Sequence, residues 1–252
     1  MKLLEQEISL FDAEKYNLNR EENFELVTTV DGKLIKSKER VQHHGEVFTP
    51  KWMVLKMLAE PAIQKKINDL HATFLEPSAG EGAFLKEILH QKLNYVDKIS
   101  NKKNWKENAL WALMSIYGIE LLPDNLFKAR TAMFEVFSNH YQVKMQQQLS
   151  SGTDLYKSAK YVLQTNIVQG NTLEYTTDQG QLIEFSQWIP IGDKVQRKPF
   201  TYKSLFDNGK IDGVDDSEQQ LSLFDVEKSV EEINLYKVCP VTKVYRKEQA
   251  NG

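Results

Sequence analysis

Between residues 73 and 89 the chain reads TFLEPSAGEGAFLKEIL, a β-prone run ending in Glu76, then Pro77, Ser78, Ala79, Gly80 and Gly82, then a helical apolar stripe. Glycines let backbone come close to a ligand, and a helix N-terminus offers unpaired N–H groups, so a strand, turn and helix of this composition suit a nucleotide-type ligand. Two cofactor classes use such a turn. Dinucleotides want a third glycine and an acid about 20 residues further on. Here Phe84 follows GEGA, and the next strand-terminal acid, Glu120, comes much later. The turn therefore favours S-adenosylmethionine, which has no pyrophosphate to seat, over a nicotinamide dinucleotide.

Other groups with chemical potential are few. Cys239 stands alone, so neither an internal disulfide nor a cysteine metal site can form from it, and between Val238 and Pro240 it reads as a small core residue. Adjacent His43 and His44 point different ways on any regular element and make a poor metal site; with Glu46 they read as solvent-facing. No metal is expected. Two clusters mix cations with aromatics, KVQRKPFTYK at 194–203 and KVYRK at 243–247, as a surface for phosphates and bases would, the plain alternative being a solvated basic loop. The net charge of −3 gives the whole chain no attraction for nucleic acid, so any such contact must be local or come through a partner.

These residues need a frame to hold them. A length of 252 residues, 41% hydrophobic and 27% charged, supports one substantial core with appendages and no membrane span. MKLLEQEISLFD contains no apolar leader, which makes the cytoplasm the expected location. Residues 1–40 read as an N-terminal extension with a hairpin turn at Asp31-Gly32. Thr49 is expected to cap a helix with Pro50 at its first position and Met53, Val54, Met57 and Leu58 as one apolar stripe. ATFLE then makes a strand, and the helix after the glycine turn buries Phe84, Leu85, Ile88 and Leu89. Residues 91–108, rich in Lys and Asn, read as a surface excursion. ALWALMSIYGIEL (109–121) ends in a strand, and Pro123 and Asp124 open a helix with Leu126, Ala129, Met133 and Phe137 on one face. YVLQTNIVQGNTLEY (161–175) reads as a strand and turn, and QLIEFSQWIPIGD (181–193) as one more strand-like run. This order implies an α/β domain at 41–206 with a largely parallel sheet. A flexible acidic segment (207–232) and a strand-like tail (233–252) follow.

Taken in order, GEVFTP (45–50), FLEPSAGEGAFL (74–85), YGIEL (117–121) and IVQGNTL (167–173) resemble the successive cofactor motifs of amino-group, adenine-type DNA methyltransferases of restriction-modification systems. The resemblance implies a class I methyltransferase-like, Rossmann-like, doubly wound sheet, S-adenosylmethionine as cofactor and an adenine amino group in DNA as target. It would put Phe48, Thr49 and Pro50 at the methionine end of the cofactor. Glu76, Pro77 and the backbone of Ser78, Ala79, Gly80 and Gly82 would face its amino and carboxylate groups, with Phe84 opening the next helix. Glu120, beside Leu121, would accept bonds from the ribose hydroxyls. Asn171, followed by Thr172, would meet the adenine amino group where the family usually has Asp.

The same family carries an (Asn/Asp/Ser)-Pro-Pro-aromatic turn that binds the target amino group and stacks on the flipped-out base, and this chain has no Pro-Pro. In its place EFSQWIP (184–190) offers Ser186, Gln187 and Trp188, either as a degenerate catalytic turn or, for Trp188, as packing at the end of an edge strand. The later strands are missing as well. The chain thus resembles a truncated form, the cofactor half of the enzyme with a small C-terminal appendage. Catalysis and DNA reading would come from a second methylase or specificity subunit. A non-catalytic subunit of the same fold that binds DNA or a partner is the alternative, and a nicotinamide-dependent oxidoreductase is disfavoured by the missing glycine. Gln220, Leu221, Ser222, Leu223 and Phe224 resemble the pentapeptide by which bacterial DNA enzymes bind the sliding clamp. SLFD recurs at 9–12 and 204–207, where pinning a tail onto the core is the preferred reading.

Overall fold

Three short β-prone runs, each ending in a polar residue, form the central sheet. In the computed structural model, which describes residues 49–207 and 235–246 and the backbone of 27–28 and 34–35, the first two strands are an isolated antiparallel pair. They are β1 (Val27–Thr28) and β2 (Leu34–Ile35), in register about the expected turn at Asp31-Gly32, which lies outside the described residues. The central sheet is parallel, in the order β3 (Phe74–Glu76), β4 (Ile116–Glu120), β5 (Ile167–Gln169), with Leu75 opposite Tyr117 and Ile119 opposite Val168.

Parallel neighbours need long crossovers, and each crossover here carries two helices. α1 (Lys51–Leu58) and α2 (Pro61–Ile67) precede the sheet; α3 (Ala83–Ile99) and α4 (Trp105–Met114) join β3 to β4; α5 (Pro123–Met145) and α6 (Asp154–Asn166) join β4 to β5. Every residue of β4 is buried, while β3, at the edge, is half-buried throughout. The two-residue period of β4 sends neighbouring positions to opposite layers. Gly118 faces Leu85 of α3, where a Cβ would come within 2.8 Å of Leu85 Cδ1. On the other side Tyr117 meets Phe185 and Phe200 edge-on, with centroids 5.4 and 6.2 Å away.

Those two rings belong to a second, antiparallel sheet in the order β6 (Glu184–Ile191), β7 (Lys194–Thr201), β8 (Cys239–Pro240). A two-residue link, Gly192-Asp193, closes the β6–β7 hairpin, and Gly192 takes the left-handed φ of 61° that such a tight turn asks of glycine. A short helix, α7 (Ser204–Asp207), follows; Leu205 packs on the core and the Phe206 ring meets Tyr175 and Tyr202, the pinning expected of that SLFD copy. After β8 a 3-10 turn (Val241–Arg246) buries Val241 and Val244 against α6. Ser158 Oγ donates to the Thr242 carbonyl at 2.7 Å, and the Tyr245 hydroxyl to Asp154 at 2.7 Å. Cys239 is half-buried against this core.

An α/β chain with a parallel sheet is what forms, but several local expectations change. Residues 91–108 are not an excursion: α3 continues to Ile99, and Leu93, Val96 and Trp105 are fully buried. The stripe at Leu85, Ile88, Leu89, Lys92, Leu93 and Val96 keeps helical spacing through a polar-looking sequence, with Lys92 standing in for an apolar residue. YVLQT (161–165) is helix rather than strand, because Thr153 caps α6 by accepting from the Tyr156 N–H and Leu155, Ala159, Val162 and Leu163 form its buried face. The basic run at 194–201 is β7, a strand rather than a loop. Pro50, not Thr49, is the N-cap of α1, and of the expected stripe Val54 and Leu58 are buried whereas Met53 and Met57 are exposed among the described residues. The sliding-clamp pentapeptide at 220–224, SLFD at 9–12, His43, His44 and Glu46 lie outside the described residues.

Lys92 carries a consequence for stability. Its Nζ donates to the carbonyls of Asp69 (2.6 Å) and Ala72 (2.9 Å) with no solvent exposure, and burial lowers its pKa from 10.5 to about 7, against a smaller opposing pull from Asp69. Between these two pH values the unfolded chain binds the proton that the folded chain releases, so stability rises with pH across the window. Urea unfolding from pH 7 to about 9, below tyrosine ionisation near pH 10, is expected to show this rise in the native chain and not in Lys92→Met. An equal rise in the variant would show that Lys92 is not its source.

Candidate functional site

The carboxyl ends of β3, β4 and β5 point the same way, so their following loops share one edge of the sheet, the place where open α/β sheets take ligands. After β3 the turn from Pro77 to Gly82 folds back on its neighbour strand. The Ala79 N–H donates to the Ile119 carbonyl at 2.9 Å, and the Gly80 N–H donates to Glu120 Oε2 at 2.7 Å. Gly80 and Gly82 both sit in the left-handed region, with φ of 54° and 81°. They do so for different reasons. A Cβ on Gly80 would meet nothing within 4 Å, so its freedom serves the turn and leaves open space beside it. A Cβ on Gly82 would lie 2.9 Å from Ala129 Cα, so its bareness lets α3 start against α5. Pro77 and Ser78 are exposed, Phe84 is half-buried against the core, and Glu76 is half-buried, its carboxyl raised in pKa by burial against a smaller lowering from the Ser78 N–H.

Glu120 ends β4 and is 6% exposed. Besides Gly80, it receives the Leu122 N–H (3.0 Å) and the Asn125 amide (3.3 Å) on Oε1. Leu122 caps α5, with Pro123 next, so the carboxylate also sits at the positive end of a helix of 23 residues. Three of its roughly four lone-pair directions are thus taken among the described residues, leaving one on Oε2. The backbone of Glu120 is engaged as well, its carbonyl accepting from the Gly170 N–H at 3.0 Å.

The loop after β5 closes the group. Asn171 turns its side chain inward on its own loop, Oδ1 accepting the Leu173 N–H at 3.0 Å, while the Asn171 N–H reaches the Thr176 carbonyl at 2.7 Å. The Thr172 hydroxyl donates to the Pro77 carbonyl, and Gln169 Nε2 to the Leu121 carbonyl at 3.2 Å. Leu121 and Leu173 stand exposed at this edge, Leu173 at 88%. The structure therefore brings together Glu76, the 77–82 turn, Glu120, Leu121, Asn171 and Thr172. Thr49 and Pro50 lead into α1, which packs on α3; Phe48 lies outside the described residues.

Ser186 and Trp188 are elsewhere and otherwise employed. Both are buried on β6, at 0% and 7% exposure, too enclosed to hold and stack on a base from DNA in this arrangement. The Ser186 hydroxyl accepts from Arg197 Nε and its carbonyl from the Tyr117 hydroxyl at 2.8 Å; burial pushes that tyrosine's pKa up. Trp188 Nε1 donates to Asn166 Oδ1 at 3.0 Å and its ring meets Tyr161 edge-on. Of the two readings open for Trp188, packing describes its surroundings. Sequence reasoning missed Asn125 and Gly170, which position Glu120 from either side. The polar third residue of a helix opening with Pro-Asp, and the glycine directly after a strand, were the available signals. Two concavities, one lined by β7, β8 and the 3-10 turn and one by Asn139 to Gln148, lie apart from these loops. Among the described residues no group of three His, Cys, Asp or Glu side chains could hold a metal ion, and no helix is long and apolar enough to cross a membrane.

The two glycines should answer differently to substitution. Gly80→Ala is expected to cost about 1 kcal/mol, the left-handed penalty alone. Gly82→Ala adds a collision with α5 backbone and should cost about 3 kcal/mol. Urea midpoints of the two variants decide it, and equal losses would mean that the approach to Ala129 does not matter.

Comparison with protein-family models, curated proteins and solved structures finds no match for this chain.

Proposed function

We propose that this chain is the S-adenosylmethionine-binding unit of a methyltransferase that acts on an adenine amino group in DNA, with the catalytic turn and DNA reading supplied by a partner chain. The supporting observation is the convergence, at the carboxyl edge of three consecutive parallel strands, of the glycine turn, the buried Glu120 and the Asn171-Thr172 loop. Strands ordered β3-β4-β5 with the first at the edge correspond to one half of a doubly wound sheet. Among the described residues no strand pairs with the outer side of β3. A partner strand there would extend the sheet.

Within this reading, Glu120 would hold the ribose hydroxyls of the cofactor through its carboxylate, beside the Gly80 N–H that it already accepts. The open space beside Gly80 would take the amino-acid end, and the exposed Leu121 and Leu173 would offer apolar surface to the adenine. Asn171, with a neutral amide in place of the usual carboxylate, would meet the adenine amino group with its Oδ1, which now accepts the Leu173 N–H. The chain's own part is to bind and orient. A non-catalytic, structural subunit is the second reading, favoured by the burial of Ser186 and Trp188 and by the protein's own claim on Glu120.

Calorimetric titration of the purified chain separates these readings. Saturable S-adenosylmethionine binding is expected, weakened about tenfold in Glu120→Gln, which loses one charge-assisted acceptor. Absence of binding at millimolar ligand would leave the structural-subunit reading. Binding of NADH instead would turn the site toward hydride chemistry. Sequence-specific methylation of DNA by the single chain would refute the need for a partner.

A further inference from the structure

The two cationic clusters, separated by more than forty positions in the sequence, come together in space. β8 pairs with the start of β7, Val195 opposite Cys239, and the 3-10 turn that follows carries Lys243 and Arg246. Between them lies a cleft of about 230 Å³ whose lining includes Arg197, Tyr236, Lys237, Lys243 and Arg246. Its floor is rigid. Arg197 donates to the hydroxyls of Ser186 and Tyr161, and its guanidinium lies 4.3 Å from the Tyr236 ring centre, so its charge is fixed rather than swinging in solvent. Its rim is more accessible, with Lys237 and Arg246 exposed and Lys243 half-buried. Lys157 of α6 extends the same surface, its Nζ 5.5 Å from the Tyr245 ring centre. Two carboxylates temper the field. Asp154 is held below the usual carboxylate range, first by the Tyr245 hydroxyl and then by Lys243, Arg246 and Lys157, and Glu184 approaches Arg197 at 3.9 Å.

Among the described residues this cleft gathers five cations, Arg197, Lys237, Lys243, Arg246 and Lys157, against the two carboxylates Asp154 and Glu184, in a chain whose total is −3. Cations spaced along one cleft suit the regularly repeated phosphates of a nucleic-acid backbone, whose condensed counterions they release on binding. We propose that this cleft between β7, β8 and the 3-10 turn is a nucleic-acid contact surface that grips backbone phosphates. The choice of DNA over RNA as the nucleic acid rests on the methyltransferase reading; the surface itself does not. It is separate from the glycine-turn cluster, so it positions the chain on its substrate rather than taking part in methyl transfer.

The test is fluorescence anisotropy of labelled duplex DNA titrated with the full chain, without S-adenosylmethionine, over a series of salt concentrations. The native chain is expected to bind at low salt. Lys237→Gln with Lys243→Gln should weaken binding at least tenfold and reduce the slope of log affinity against log salt by about 2, near 0.9 for each lost phosphate contact. Lys102→Gln with Lys103→Gln, on the turn between α3 and α4, should leave affinity and slope unchanged. The cleft variant should keep the native unfolding midpoint and the native calorimetric response to S-adenosylmethionine, so failure here and failure of the cofactor reading are told apart. The proposal is overturned by absence of DNA binding at low salt, by an unchanged slope in the cleft variant, or by tighter binding of a polyglutamate peptide than of DNA, which would assign the cleft to an acidic protein.

Discussion

A single buried carboxylate holds the working edge of this molecule together. Glu120 takes hydrogen bonds from the β3 turn through Gly80 and from the start of α5 through Leu122 and Asn125, while its own carbonyl holds Gly170 after β5. Three strand ends, each preceded or followed by a different helix, are thereby registered to one residue, two through its carboxylate and the third through its backbone carbonyl. A charged acceptor of several N–H groups in a nearly enclosed place is a stronger tie than neutral bonds of the same count, and a costly one to leave half-satisfied. The remaining contacts among the loops, Thr172 to Pro77 and Gln169 to Leu121, complete an arrangement that Glu120 sets.

On the far side of the sheet the work is structural. Two sets of buried hydrogen bonds lie inside aromatic packing, Tyr117 and Arg197 on Ser186 and Trp188 on Asn166, and Asn166 also donates to the carbonyls of Met114 and Ile116, at 3.0 and 3.2 Å. Such a network specifies one docking of the β6–β7 hairpin on the parallel sheet, since a shift of one residue would strand several of these groups without partners. The same strand that faces inward through Trp188 thus anchors Arg197 on β7, and with it the floor of the basic cleft.

Much of the edge of the sheet was legible beforehand because its signals are local. Glycines at forced backbone positions, an acid at the end of an apolar strand and a Pro-Asp helix start each announce themselves within a few residues. What stayed hidden depends on pairing at a distance. Lys92 makes a helix stripe look interrupted until the Asp69 and Ala72 carbonyls are seen to accept hydrogen bonds from its Nζ. Tyr161 and Val162 favour strands by type, yet the Thr153 cap and the buried face of α6 decide for helix. Ser186 and Trp188 fell where the resemblance asked for a catalytic turn, and their types alone could not reveal that Arg197 and Asn166 already hold them. The three-strand extent of the parallel sheet was likewise beyond local reading.

The turn at 241–246 has a bearing on how the molecule comes into being. Its bonds to α6 join positions 84 and 91 residues apart, Ser158 to Thr242 and Asp154 to Tyr245. Closing a loop of that length costs about 4 kcal/mol in chain entropy, while the parallel sheet and its helices are built from shorter closures. The sheet's closures, 42 and 49 residues apart in its register, are cheaper by only about 0.6 kcal/mol each, so the order of synthesis, more than entropy, brings residues 241–246 last to the apolar face of α6. As the chain leaves the ribosome, the residues of the glycine-turn edge emerge before those of the basic cleft. The order of synthesis thus separates in time two surfaces that the finished molecule keeps apart in space.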